Sequence, residues 1–88
     1  MVIILTDHTR LRMRGRGISE AEVHTVISEG RWREARDGRV KADHAFLRPT
    51  RWSGRDYSGK RVEVIFEEHG DTIVVVTVKA FYFTNAGD

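Results

Sequence analysis

The chain opens on a short apolar run, MVIIL, and ends on a long one, DTIVVVTVKAFYF, and between them the spacing of apolar positions changes twice. The opening run predicts a first β-strand: no basic region precedes it, no small-residue cleavage site follows it, and it is too short for a signal peptide or a membrane span. From His8 to Arg16 only Gly15 interrupts residues compatible with a helix, and Thr6 and Asp7 stand before them as N-caps, so a helix of about two turns is expected, closed by Gly17. Ser19 to Glu22, SEAE, has the form of a capping box, in which the serine hydroxyl and the glutamate carboxylate each satisfy the other residue's backbone N–H. Val23, Val26 and Ile27 follow at the i, i+3, i+4 spacing of an apolar helical stripe, and Gly30 stands where a left-handed C-cap is expected. The RGIS segment between the two helices predicts a corner with Ile18 packed into it.

Beyond Gly30 the period shortens. RWREAR and RVKADHAFLR flank Asp37-Gly38, a hairpin signal that makes residues 31–36 and 39–47 paired strands. RPTRWSGRDYSGK, residues 48–60, holds the single proline and two glycines and reads as a long basic turn or loop carrying Trp52 and Tyr57. RVEVIFEE and the final run then bracket HGD as a second hairpin. The expected class is α+β: an N-terminal strand and two short helices packed on an antiparallel sheet of four main strands, in one domain spanning residues 1–88. Strict alternation sets Val74, Val76, Val78, Ala80 and Tyr82 on one face of the last strand and Ile73, Val75, Thr77, Lys79 and Phe81 on the other. Thr77 and Lys79 interrupt that second face, which must open to water or a ligand around them unless they are simply a strand-forming threonine and an end lysine.

Composition adds two constraints. There is no cysteine, which removes disulfides and thiolate metal sites and suits a cytoplasmic setting. The net charge is only +2, but residues 1–61 hold 14 Lys/Arg against 8 Asp/Glu, while residues 62–88 hold 1 against 5. Such a split is that of a surface for RNA, DNA or an acidic partner, or else of two solvated faces.

His8, Arg12 and Arg16 recur every fourth residue and so share one helix face, either a solvated edge or a row that grips phosphate beside an imidazole able to move a proton near neutral pH. A tight turn centred near Gly70 would set Arg61 opposite Lys79, a like-charge pair that calls for an anion between them. His24, His44 and His69 are scattered and form no metal signature, and no P-loop, dinucleotide fingerprint or nucleophile elbow is present. No metal or other cofactor is expected.

The pattern His8-x3-Arg12-Met13-x2-Arg16-Gly17-Ile18-Ser19-x2-Glu22-Val23, with RVEVIFEE and TIVVVTV further on, resembles a widespread group of small bacterial proteins known only as a domain of unknown function. That group is thought to share the fold of the barnase, EndoU, colicin and RelE nucleases (the BECR fold), many of them toxins of toxin–antitoxin pairs. The resemblance implies a metal-independent, RelE-like endoribonuclease with a histidine from the N-terminal helix and basic and hydroxyl residues from the sheet. Carried over, His8 takes the helix position, Arg12 and Arg16 match the signature arginines, and Thr77 is the hydroxyl of the VTV strand. Arg61, Lys79 and Tyr82 are added from strand position alone. The expected reaction is attack of a ribose 2′-hydroxyl on its adjacent phosphate, with His8 as acid or base, Arg12, Arg16 and Arg61 on the phosphate, Lys79 as a further charge and Thr77 orienting it. Trp52 and Tyr57 would stack on unpaired bases. The expected partners are RNA, ribosome-associated mRNA included, and an antitoxin protein, with no membrane. The alternative is a non-catalytic RNA-binding or protein-interaction module.

Overall fold

The computed structural model describes residues 1–84. Seven strands and two helices follow in the order β1 (Val2–Leu5), α1 (Asp7–Arg16), α2 (Glu20–Glu29), β2 (Arg31–Glu34), β3 (Val40–Phe46), β4 (Thr50–Trp52), β5 (Arg55–Tyr57), β6 (Gly59–His69) and β7 (Thr72–Phe83). The main sheet has five strands rather than four, ordered β1-β7-β6-β3-β2. Four are antiparallel neighbours, and β1 joins the far edge parallel to β7, pairing Val2–Leu5 with Thr72–Val75. Parallel pairing is available to β1 because the whole chain between them serves as its crossover. No helix among the described residues is long and apolar enough to cross a membrane.

Both helices begin and end on local signals. Thr6 accepts the Thr9 N–H at the start of α1, and Gly17 closes it in the left-handed region at φ 69°. The Ser19–Glu22 capping box is formed in both directions. Gly30 departs from expectation: its backbone is extended (φ −75°, ψ 171°), and glycine is required there because a Cβ would run into the Val26 and Asp43 carbonyls. Asp37 and Gly38 both take positive φ, as the tight β2–β3 turn demands.

Residues 48–60 are not an open loop. β4 and β5 form a second small antiparallel sheet around Ser53 and Gly54, both at positive φ. What holds so short a hairpin is aromatic packing: the Trp52 ring stacks on Tyr82 with centroids 5.7 Å apart, and Tyr57 lies 5.2 Å from the same ring.

A β-bulge sets the faces of the last strand. Ile65 pairs with Thr77 but Phe66 pairs with Val75, so Val76 is an extra residue and the alternation changes phase there. Ile73 and Val75, placed with Thr77 and Lys79 by strict alternation, are instead buried on the same face as Val78, under the helices. That face, with Met13, Ile18, Val23, Val26, Ile27, Val62, Val64 and Phe66, makes the core. Thr77, Lys79 and Phe81 lie on the opposite face, which no helix covers, and the polar break in an apolar face disappears.

One buried ion pair joins the helical corner to the sheet. Lys60, on the helix side of β6, donates to the Gly17 carbonyl (2.6 Å) and to Glu22 of the capping box (2.9 Å), and both side chains are more than nine-tenths buried. Burial alone would raise the Glu22 pKa; hydrogen bonds from Lys60 and Ser19, with the lysine charge, outweigh it and hold the carboxyl below its ordinary 4.5.

Two outcomes follow for stability. Lys60→Ala removes the buried partner of Glu22, leaves that carboxylate only the Ser19 N–H and the exposed Arg48 guanidinium 3.9 Å away, and lowers the unfolding free energy in urea titrations by about 3 kcal/mol. A depressed folded-state pKa stabilises above the unfolded value and is lost on acidification, so the gap between wild type and Lys60→Ala narrows as the pH falls below 4.5. Gly17→Ala combines a positive φ with a Cβ placed against the Tyr82 hydroxyl and the Trp52 ring, and costs about 2 kcal/mol with a change in tryptophan emission as Trp52 leaves its stack.

Candidate functional site

α1 leaves the end of β1 and runs beside the part of β7 that β1 does not reach. Two side chains align it. The buried Thr9 hydroxyl donates to the Val75 carbonyl at 3.1 Å, and the Arg16 guanidinium donates to the Val78 carbonyl. These anchors bracket Thr77, and Val78 is flanked by Thr77 and Lys79. The His8-Arg12-Arg16 row, one helical step round from Thr9 and Met13, therefore borders the β7 edge. An edge carbonyl that would otherwise lack a strand partner explains why Arg16 turns inward.

At the other end of the row Arg12 Nε donates to His8 Nε2 at 2.8 Å, with His8 exposed. An arginine cannot accept, so His8 Nε2 is the acceptor in this contact. Among the described residues no hydrogen bond or ion pair links His8 or Arg12 to Thr77 or Lys79: the helix row lies on the covered side of the β7 edge, Thr77 and Lys79 project from the uncovered face, and Arg16 reaches the backbone between them at the Val78 carbonyl.

The register corrects the expectation for Arg61. The turn is centred between Gly70 and Asp71, one step off the expected register, and the bulge adds a second, so Arg61 faces Phe81 and Lys79 faces Glu63. The like-charge pair does not exist, and the inference of an anion from it falls. Arg61 instead contacts Asp43 at 3.0 Å and Glu63 at 3.5 Å, with its guanidinium 4.5 Å from the centre of the Phe81 ring. Arg33 and Lys41 reach the same carboxylates, making an ion-pair lattice across β2, β3 and β6 on the uncovered face. No local pattern announces such a lattice, because its members come from three strands.

Trp52, Tyr57 and Tyr82 gather on the helix side. Their rings pack on one another, and the Tyr82 hydroxyl donates to the Arg16 carbonyl at 2.8 Å. Burial, followed by the nearby Glu22 and Tyr57, raises the Tyr82 pKa above its ordinary 10.0. These three rings position the end of α1, and with it Arg16. Lys60, expected as the last residue of the 48–60 loop, lies in β6 instead and acts at the same joint. A shallow concavity at the β2–β3 turn is lined by Glu34, Arg36, Asp37, Arg39, Lys41 and Ile65 and lies toward the sheet edge remote from α1. Among the described residues no group of three or more His, Cys, Asp or Glu side chains is arranged to hold a metal ion.

No curated protein and no solved structure matches the chain. A family match nevertheless covers most of its length, from the end of β1 through α1, α2 and the sheet to Lys79, so the α1 row, the capping box and the Thr77–Lys79 segment all fall within it. Through residues 5–79 the chain belongs to the DUF4258 family, a domain of unknown function.

Proposed function

We propose that the protein is a metal-independent endoribonuclease, a RelE-like toxin of the BECR fold that acts in the cytoplasm and is held in check by an antitoxin protein. The observation that carries this reading is the Arg16–Val78 hydrogen bond, which fastens the histidine-bearing helix to the strand between Thr77 and Lys79. The α+β order of strand, two helices and antiparallel sheet, and the resemblance of the His8–Val23 segment to its signature, support it as well.

RNA crosses the β7 edge, with the scissile phosphate over Arg12 and Arg16. Arg12 turns from the imidazole to the phosphate and frees His8 Nε2, which takes the proton of the attacking 2′-hydroxyl. The 2′-oxygen bonds to phosphorus and the bond to the 5′-oxygen breaks, leaving a 2′,3′-cyclic phosphate and a 5′-hydroxyl that receives a proton from Lys79. The guanidinium groups and the Thr77 hydroxyl stabilise the pentacoordinate phosphorane. Arg61 is part of the ion-pair lattice and acts farther along the chain of phosphates.

Incubating the protein with single-stranded RNA in EDTA should yield 2′,3′-cyclic phosphate ends. His8→Ala should lower the rate by about a hundredfold or more, and Arg12→Ala by a similar factor, with folding unchanged. Intact RNA, or equal cleavage by His8→Ala, rejects the nuclease and leaves the non-catalytic module.

A further inference from the structure

Besides Thr77, Lys79 and Arg61, the uncovered face of the main sheet carries two phenylalanines that the edge site does not use. Phe81 is 44% exposed there, on the edge of β7 that β1 does not reach and beside a polar face. Its ring is not alone. The Arg61 guanidinium lies over it at 4.5 Å, and the Arg61 side chain is itself 39% exposed. Two residues on, at the same face, Phe83 lies over Gly59, where a Cβ would come within 2.8 Å of the ring. A residue without a side chain thus lets the second aromatic lie flat on the strand. Arg61 lies level with Phe81, and on its bulge side follow Lys79, Glu63 and Asp43 and then Lys41 and Arg33, an excess of two positive charges among these six.

We infer that this face is a stacking platform for single-stranded RNA, with one base against the Phe81–Arg61 pair, a second against Phe83, and the phosphates that run on from the Phe81 base toward the bulge beside Lys79 and then Lys41. The charge excess names the occupant as a polyanion. It also disfavours a second copy of the same positive face. Flat rings spaced two residues apart on a strand suit unstacked bases, whereas a duplex keeps its bases inside and presents only phosphates and groove edges. Asp43 and Glu63 hold Arg61 in place over the ring by hydrogen bond and charge, so the guanidinium is presented in a set orientation. The role foreseen for Trp52 and Tyr57 passes to Phe81 and Phe83, because the former pair is already packed against Tyr82.

The platform rests on the reading of RNA as substrate, and its test separates the two. Fluorescence anisotropy with a short 2′-O-methyl RNA oligomer, which has no free 2′-hydroxyl and cannot be cut, measures binding alone. Phe81→Ala should weaken it by about tenfold or more, while Phe81→Trp restores it. Lys79→Ala should reduce the slope of log affinity against log salt by about one contact. Equal binding by wild type and Phe81→Ala, equal affinity for a duplex of the same sequence, or full displacement by polyglutamate at matched charge would each overturn the platform, even in a protein that cleaves RNA. Loss of binding in Phe81→Ala, reversed in Phe81→Trp, supports it even if no RNA is ever cleaved.

Discussion

Everything built on α1 depends on the buried contact between Lys60 and the helical corner. One ammonium satisfies the carbonyl of Gly17, which caps the end of the first helix, and the carboxylate that caps the second, so both helices are referenced to a single point on β6. A buried charge is tolerated only where its hydrogen bonds are met. Here the capping box supplies the acceptor: Glu22 serves the Ser19 backbone and the lysine with the same oxygen. Tyr82, Trp52 and the left-handed Gly17 pack around this joint, which makes it a local feature of charge and aromatic rings rather than of aliphatic core.

From that joint the position of the functional groups follows. Arg16 ends the helix that Lys60 and Tyr82 hold, and it reaches the β7 edge where β1 has stopped. The short β1 leaves backbone carbonyls that the helix must satisfy, and Thr9 and Arg16 do so at Val75 and Val78. A longer first strand would displace the helix and separate the histidine row from Thr77 and Lys79. The edge site is a consequence of unequal strand lengths.

The bulge at Val76 divides the molecule's chemistry. Before it, β7 sends Ile73 and Val75 into the core; after it, Val78 continues the core, and Thr77, Lys79 and Phe81 join the uncovered face. One extra residue allows a strand of nearly continuous apolar character to carry a polar surface without burying a lysine. It also brings Lys79 across from Glu63 and Arg61 across from Phe81, where an ion-pair lattice and a cation–aromatic stack form.

What was legible in the sequence is what neighbouring residues settle among themselves. The caps at Thr6 and Ser19, the stripe of Val23, Val26 and Ile27, the Asp37–Gly38 turn and the grouping of His8, Arg12 and Arg16 on one face all rest on backbone satisfaction within a few residues, and all stand as read. The α+β class followed from their order. Tertiary structure alone decided the rest: Gly30 is small for the sake of Asp43, residues 48–60 become a hairpin because Tyr82 offers a ring, and Arg61 loses its expected partner to the centring of the turn after His69 and to a bulge fifteen residues away. Each of these depends on an atom far along the chain, and no local period records which distant atom will arrive.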